Sequence, residues 1–139
     1  MNRKTVRLVQ ESWDQLSLMA PEAAALFYAN LFAADPSLRS LFKGDMQEQG
    51  RRLMTMIGVA VRMLERLDAL IPAVQDLGRR HAGYGVREEH YNTVGGALLM
   101  TLGQGLGEDY TPEVADAWAD VYSLLAETMM AACEAETTA

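Results

Sequence analysis

Residues 72–86 read Pro72-Ala73-Val74-Gln75-Asp76-Leu77-Gly78-Arg79-Arg80-His81-Ala82-Gly83-Tyr84-Gly85-Val86. Proline is tolerated in a first helical turn, where its missing N–H has no partner to lose, so a helix is expected to start near Pro72. Val74, Leu77, Gly78 and His81 then fall on one face of that helix, before Gly83 and Gly85 end it. His81 therefore occupies an apolar position. A histidine there either finds an ordinary hydrogen-bond partner in a core or offers a ring nitrogen to a metal. Helical spacing leaves both readings open.

Outward from this segment the chain reads as helix joined by short turns from Thr5 to Cys133. Val6, Val9, Trp13 and Leu16 form the stripe of a first helix, and Pro21 opens a second through Ala25, Tyr28, Leu31 and Phe32. Asp35-Pro36 starts a short third helix reaching Phe42, and Lys43, Gly44 and Asp45 make a turn. The fourth helix carries Met46, Leu53, Met56, Ile57, Ala60 and Leu64, with Gln49 inside the stripe. Past His81, a sixth helix carries Tyr91, Val94, Leu98 and Leu102. Gly95 and Gly96 on it are expected to admit a neighbouring backbone, and Gly105 and Gly107 to close it. Thr111 as N-cap and Pro112 start the last helix, through Val114, Trp118, Val121, Leu125 and Met129. The expectation is one all-α domain over residues 1–139 with about seven helices and a short flexible tail near 135–139.

Composition narrows the function. The 139 residues are 50% hydrophobic, enough for a core without disulfides, and the single cysteine, Cys133, excludes an internal disulfide. A net charge of −7 argues against a nucleic-acid partner, since Arg51-Arg52 and Arg79-Arg80 are pairs and not a basic face. No apolar run is long enough for a membrane span, and no cleavable leader follows Arg3, Lys4 and Arg7, so the cytoplasm is the expected setting. Two histidines and one cysteine cannot supply a four-ligand zinc site. The glycines sit at helix ends or inside helices, without a strand-borne phosphate loop. Neither histidine has the flanking signature of a base serving a serine or cysteine nucleophile.

What remains is His81, Gln49 and Tyr28, polar groups on three apolar faces. Unpaired buried polar groups cost roughly 1–3 kcal/mol each, so these three need each other or a polar guest.

Leu26-Phe27-Tyr28-Ala29-Asn30-Leu31-Phe32 followed by Asp35-Pro36 and Leu41-Phe42 resembles the second and third helices of the globin family. Leu77-Gly78-Arg79-Arg80-His81 with Tyr84-Gly85-Val86 resembles the proximal helix and exit of bacterial single-domain haemoglobins, flavohaemoglobin globin domains and neuroglobin. Glu11-Ser12-Trp13, Ala117-Trp118 and Val121-Tyr122 resemble the first and last helices of the same group. The resemblance implies a globin fold in a three-over-three arrangement enclosing one haem b, iron protoporphyrin IX. It makes His81 the proximal iron ligand and Phe42 the ring packed on the porphyrin. Gln49 becomes the distal residue with Leu53 one turn on, and Tyr28 a second distal donor. Arg52 is implied as a propionate partner, and Val86, Tyr91, Val94 and Leu98 as proximal-side lining. His90 matches no ligand position and reads as a surface or helix-start residue.

Tyr28 with Gln49 resembles bacterial globins, and an amide is a poor iron ligand, so an open or water-bound sixth position is expected. The implied function is reversible binding of dioxygen, and of other diatomic gases such as NO and CO, for oxygen transport or scavenging. The alternative is nitric oxide dioxygenation to nitrate with a separate reductase, since the chain is too short to hold one. A haem-free interaction module would dispense with the proximal ligand. Flavohaemoglobins tend to place a glutamate on the last helix, linked to the proximal histidine with help from a tyrosine. Tyr91 matches that tyrosine, but Cys133 falls where the glutamate is expected, with Glu134 turned about 100° away. A monomer or weak homodimer is expected.

Overall fold

The computed structural model describes residues 2–83 and 86–138. Among them are six α-helices and no strand: α1 Arg3–Ser17, α2 Ala20–Ala34, α3 Met46–Arg62, α4 Leu67–Gly83, α5 Glu88–Leu106 and α6 Pro112–Thr138. Tighter 3₁₀ segments occupy Pro36–Leu41, Met63–Glu65 and Gly107–Asp109, the first being the short helix expected after Asp35. Helix starts follow from local chemistry. Asn2 Oδ1 accepts from the Thr5 N–H at 2.7 Å, Asp45 from Gln47 at 2.9 Å, and the Thr111 hydroxyl from Val114 at 3.2 Å. Each satisfies an amide that the helix leaves without a partner.

The helices pack as three over three. α1, α5 and α6 touch one another, α2 packs on α3 and α5, α4 packs on α6, and α1 packs on α3. The seam is filled by Val9, Leu16, Leu31, Leu102 and Val121, all essentially inaccessible. Each such side chain contributes roughly 1.5–3 kcal/mol by leaving water. No single helix among the described residues is long and apolar enough to cross a membrane.

Trp118 ties α6 to α1 by donating from Nε1 to the Ser12 hydroxyl at 2.8 Å, and Ser12 in turn donates to the Leu8 carbonyl at 2.6 Å. Trp118→Phe removes one buried hydrogen bond and part of a ring. We expect a loss of about 2 kcal/mol, readable as a shift of the urea midpoint with unchanged slope.

Several local expectations are corrected. α4 begins at Leu67 and Pro72 lies inside it. Proline there forfeits one backbone bond, its ring is exposed, and the burial of Leu70 and Val74 extends the apolar face back through it. Ala25 is exposed, and Ala23, Ala24, Phe27, Tyr28 and Leu31 form the buried face of α2. Met56 is 39% exposed at the edge of its stripe. Gly95 meets the Tyr122 ring, not a backbone, and Gly96 has nothing within 4 Å. α5 ends at Leu106 with Gly107 as its cap at φ +58°. His90 is buried, not on the surface: it opens α5, its Nδ1 accepting from the Arg87 N–H at 2.9 Å. Tyr84 and Gly85 lie outside the described residues.

Candidate functional site

His81 stands in the last turn of α4, half-buried, with Nδ1 at 2.8 Å from the Leu77 carbonyl one turn earlier. A carbonyl oxygen only accepts, so Nδ1 carries the proton and the ring's lone pair lies on Nε2. That is the tautomer a metal-ligating imidazole needs, held by the backbone bond that usually fixes such rings.

Tyr28 is buried in an aromatic group. Its ring stacks on Phe32 at 5.9 Å and meets Phe27 and Phe42 edge-on at 5.3 and 5.4 Å. Phe32 and Phe42 meet at 5.5 Å, and the Arg39 guanidinium lies 5.6 Å over Phe32. These contacts join α2 to the segment after Pro36–Leu41 and fix Phe42 relative to Tyr28. The Tyr28 hydroxyl takes part in no hydrogen bond among the described residues. Burial raises its proton affinity, so it stays a neutral O–H donor. α3 rests on the same place: a Cβ at Gly50 would meet the Ala24 Cβ at 2.9 Å and the Tyr28 ring at 3.7 Å.

Gln49, adjacent to Gly50, is half-buried, and its amide donates to the Lys43 carbonyl in the preceding turn. The structure thus places Gln49 beside the Tyr28 contact but gives its N–H₂ to the loop. Leu53, Ile57, Leu77, Val86 and Val94 are half-buried apolar side chains packed against the core, and Tyr91 and Leu98 are buried. Arg52 is exposed, with its Nε 3.7 Å from Glu48, at the long end for an ion pair and of little energetic consequence on the surface.

Beneath α4 lies a contact that sequence reading missed. Cys133 of α6 places Sγ 3.0 Å from the Gly78 carbonyl, one residue after the carbonyl that holds His81. Tyr122 donates its hydroxyl to the Tyr91 carbonyl at 2.7 Å. Burial raises the proton affinity of Tyr91, and Cys133 nearby raises it further. Gly78 and Gly95 were the available signals, since each lets an α6 residue come close.

The donor set fits haem. His81 has the ring tautomer that an iron ligand needs, Tyr28 is a buried ring whose hydroxyl makes no hydrogen bond to another described residue, and half-buried apolar side chains such as Phe42, Leu53 and Val94 suit a porphyrin face.

Comparison with known proteins agrees. Residues 25–129 match the globin family profile. The flavohemoprotein of Rhodopirellula baltica is 29% identical over 130 residues, 91% of this chain and 32% of that one. The flavohemoprotein of Bordetella parapertussis is 35% identical over 107 residues, 75% of this chain and 27% of that one. The chain thus spans about a third of such relatives. Among solved structures, an engineered carbene transferase from Rhodothermus marinus, provisionally described as a nitric oxide dioxygenase, superposes with a TM-score of 0.86 at 26% identity. That match covers 99% of this chain and 96% of the other. With six α-helices and no strand among the described residues, a histidine held in the ligating tautomer and a family match over residues 25–129, this chain belongs to the globins.

Proposed function

We propose that the chain binds haem b through His81 and holds a diatomic gas, dioxygen first among them, on the side facing Tyr28. The observation that supports this reading is the His81 Nδ1 bond to the Leu77 carbonyl, which leaves the ring's lone pair on Nε2, as an iron-ligating imidazole requires. Bound haem would supply an iron able to take a small gas. The protein supplies the rest. Phe42, Leu53, Val94 and Leu98 would exclude water from the porphyrin faces, and Arg52, paired with Glu48 in its absence, would pair with a propionate. Tyr28 would donate a hydrogen bond to a bound gas, and Gln49 would add a second donor once its amide turns from Lys43. The acidic composition and single cysteine suit a cytoplasmic setting.

The test is a set of absorption spectra, ferric, ferrous and with carbon monoxide, joined to stopped-flow dioxygen release. If the Tyr28 bond contributes on the order of 1–2 kcal/mol, Tyr28→Phe should release dioxygen roughly 5- to 30-fold faster. Gln49→Leu should give a smaller increase, because its amide must first forgo the Lys43 carbonyl. Unchanged release in both variants overturns these roles.

A second reading is favoured by the relatives' names. Flavohemoproteins and a provisional nitric oxide dioxygenase share this fold at 26–35% identity. One nitric oxide, one dioxygen and one electron from a separate flavin reductase would make one nitrate. Steady-state nitric oxide consumption with a reductase supplied decides between them: sustained turnover selects the enzyme, and single-turnover consumption selects reversible binding.

A further inference from the structure

α4 and α6 approach backbone to backbone at one place. An added Cβ at Gly78 would lie 2.5 Å from the Met129 carbonyl oxygen and 2.7 Å from its Cα. One helical turn further along α6, the Cys133 thiol reaches the Gly78 carbonyl at 3.0 Å. Gly78 is thus gripped twice, by the close approach and by the S–H bond, three residues before His81 on the same face of α4. The carbonyl before it, that of Leu77, accepts the hydrogen bond from His81 Nδ1. Any roll of α4 about its axis moves both carbonyls together, and with them the imidazole.

We propose that Cys133 is a positioning residue for His81: its S–H bond to Gly78 sets the roll of α4 and thereby the direction in which His81 Nε2 points. The thiol acts through the backbone. The proposal rests on His81 as the iron ligand, and one of its readouts is independent of that assignment.

With one cysteine in the chain, the S–H stretch in the infrared is unambiguous. In the haem-loaded protein it should lie at the lowered frequency of a thiol bonded to a carbonyl, and a free-thiol frequency overturns the proposal whatever holds the iron. In the ferrous protein, Cys133→Ala should shift and broaden the iron–histidine band in resonance Raman. The same variant should speed haem transfer to apomyoglobin about tenfold, the lower end of the range for residues that orient metal ligands. Cys133→Ser, which keeps a donor, should restore both towards the parent. An alanine variant identical to the parent, or a serine variant as perturbed as alanine, overturns the assignment. If the parent shows no iron–histidine band at all, the His81 assignment fails instead.

Discussion

His81→Ala is expected to lose haem. The other histidine, His90, is buried at the start of α5 with its Nδ1 engaged by the Arg87 N–H, so it cannot stand in without breaking that cap. If the iron–nitrogen bond supplies about 4 kcal/mol of retention, its removal weakens haem binding about 1,000-fold. The variant should purify with its Soret band absent or strongly reduced. The helical far-ultraviolet signal should persist, because His81 is only half-buried and lies outside the apolar core. His81→Gly leaves room for free imidazole, and millimolar imidazole should restore the band. Soret absorbance titrated with haemin checks both variants, and an alanine variant that binds as the parent does would remove His81 from the site.

The largest stability effect is expected at Gly78. Alanine in place of glycine ordinarily favours a helix by up to about 1 kcal/mol. Here the new methyl would meet the carbonyl oxygen, Cα and carbonyl carbon of Met129 at 2.5–2.9 Å. Those are backbone atoms and cannot rotate away, so α4 and α6 must separate. Overpacking of this kind costs about 3 kcal/mol, a fall in Tm of about 10 °C for a chain of this size. Gly96→Ala is the internal control. Gly96 is exposed on α5 with nothing within 4 Å of the added methyl, so the same substitution should stabilise by about 0.5–1 kcal/mol. Thermal unfolding followed by circular dichroism should move in opposite directions for the two variants. A Gly78→Ala protein as stable as the parent would contradict the close approach on which the positioning of His81 depends.

The helices and the face of His81 were legible because burial on a helix leaves a 3.6-residue signature. Val74, Leu77 and Gly78 point the same way as His81 in the chain and in the fold. Capping chemistry also read correctly at Thr111-Pro112 and Asp35-Pro36. Pro72 misled because its propensity is local, whereas the start of α4 is decided by burial of Leu70 against the core. Ala25 misled because alanine carries too little apolar surface to mark a face. Of the two readings of His90, surface or helix start, the second holds; the charged Arg87-Glu88-Glu89 beside it suggests exposure, and sequence does not reveal that its ring folds back onto the Arg87 amide. Least legible was the contact between Cys133 and Gly78, 55 residues apart, which depends on how two helices cross. Gln49 lies between these cases: its place on α3 follows from periodicity, but its bond to Lys43 comes from the turn at Gly44, where φ is +90°.

The most direct measurement is of the iron–nitrogen bond. Protein grown with ¹⁵N-labelled histidine, loaded with haem and reduced without oxygen, should show its low-frequency iron–histidine band displaced downward relative to unlabelled protein. His90→Gln should keep both the band and the displacement. A band that ignores the label, or one that disappears with His90, would contradict the assignment of His81.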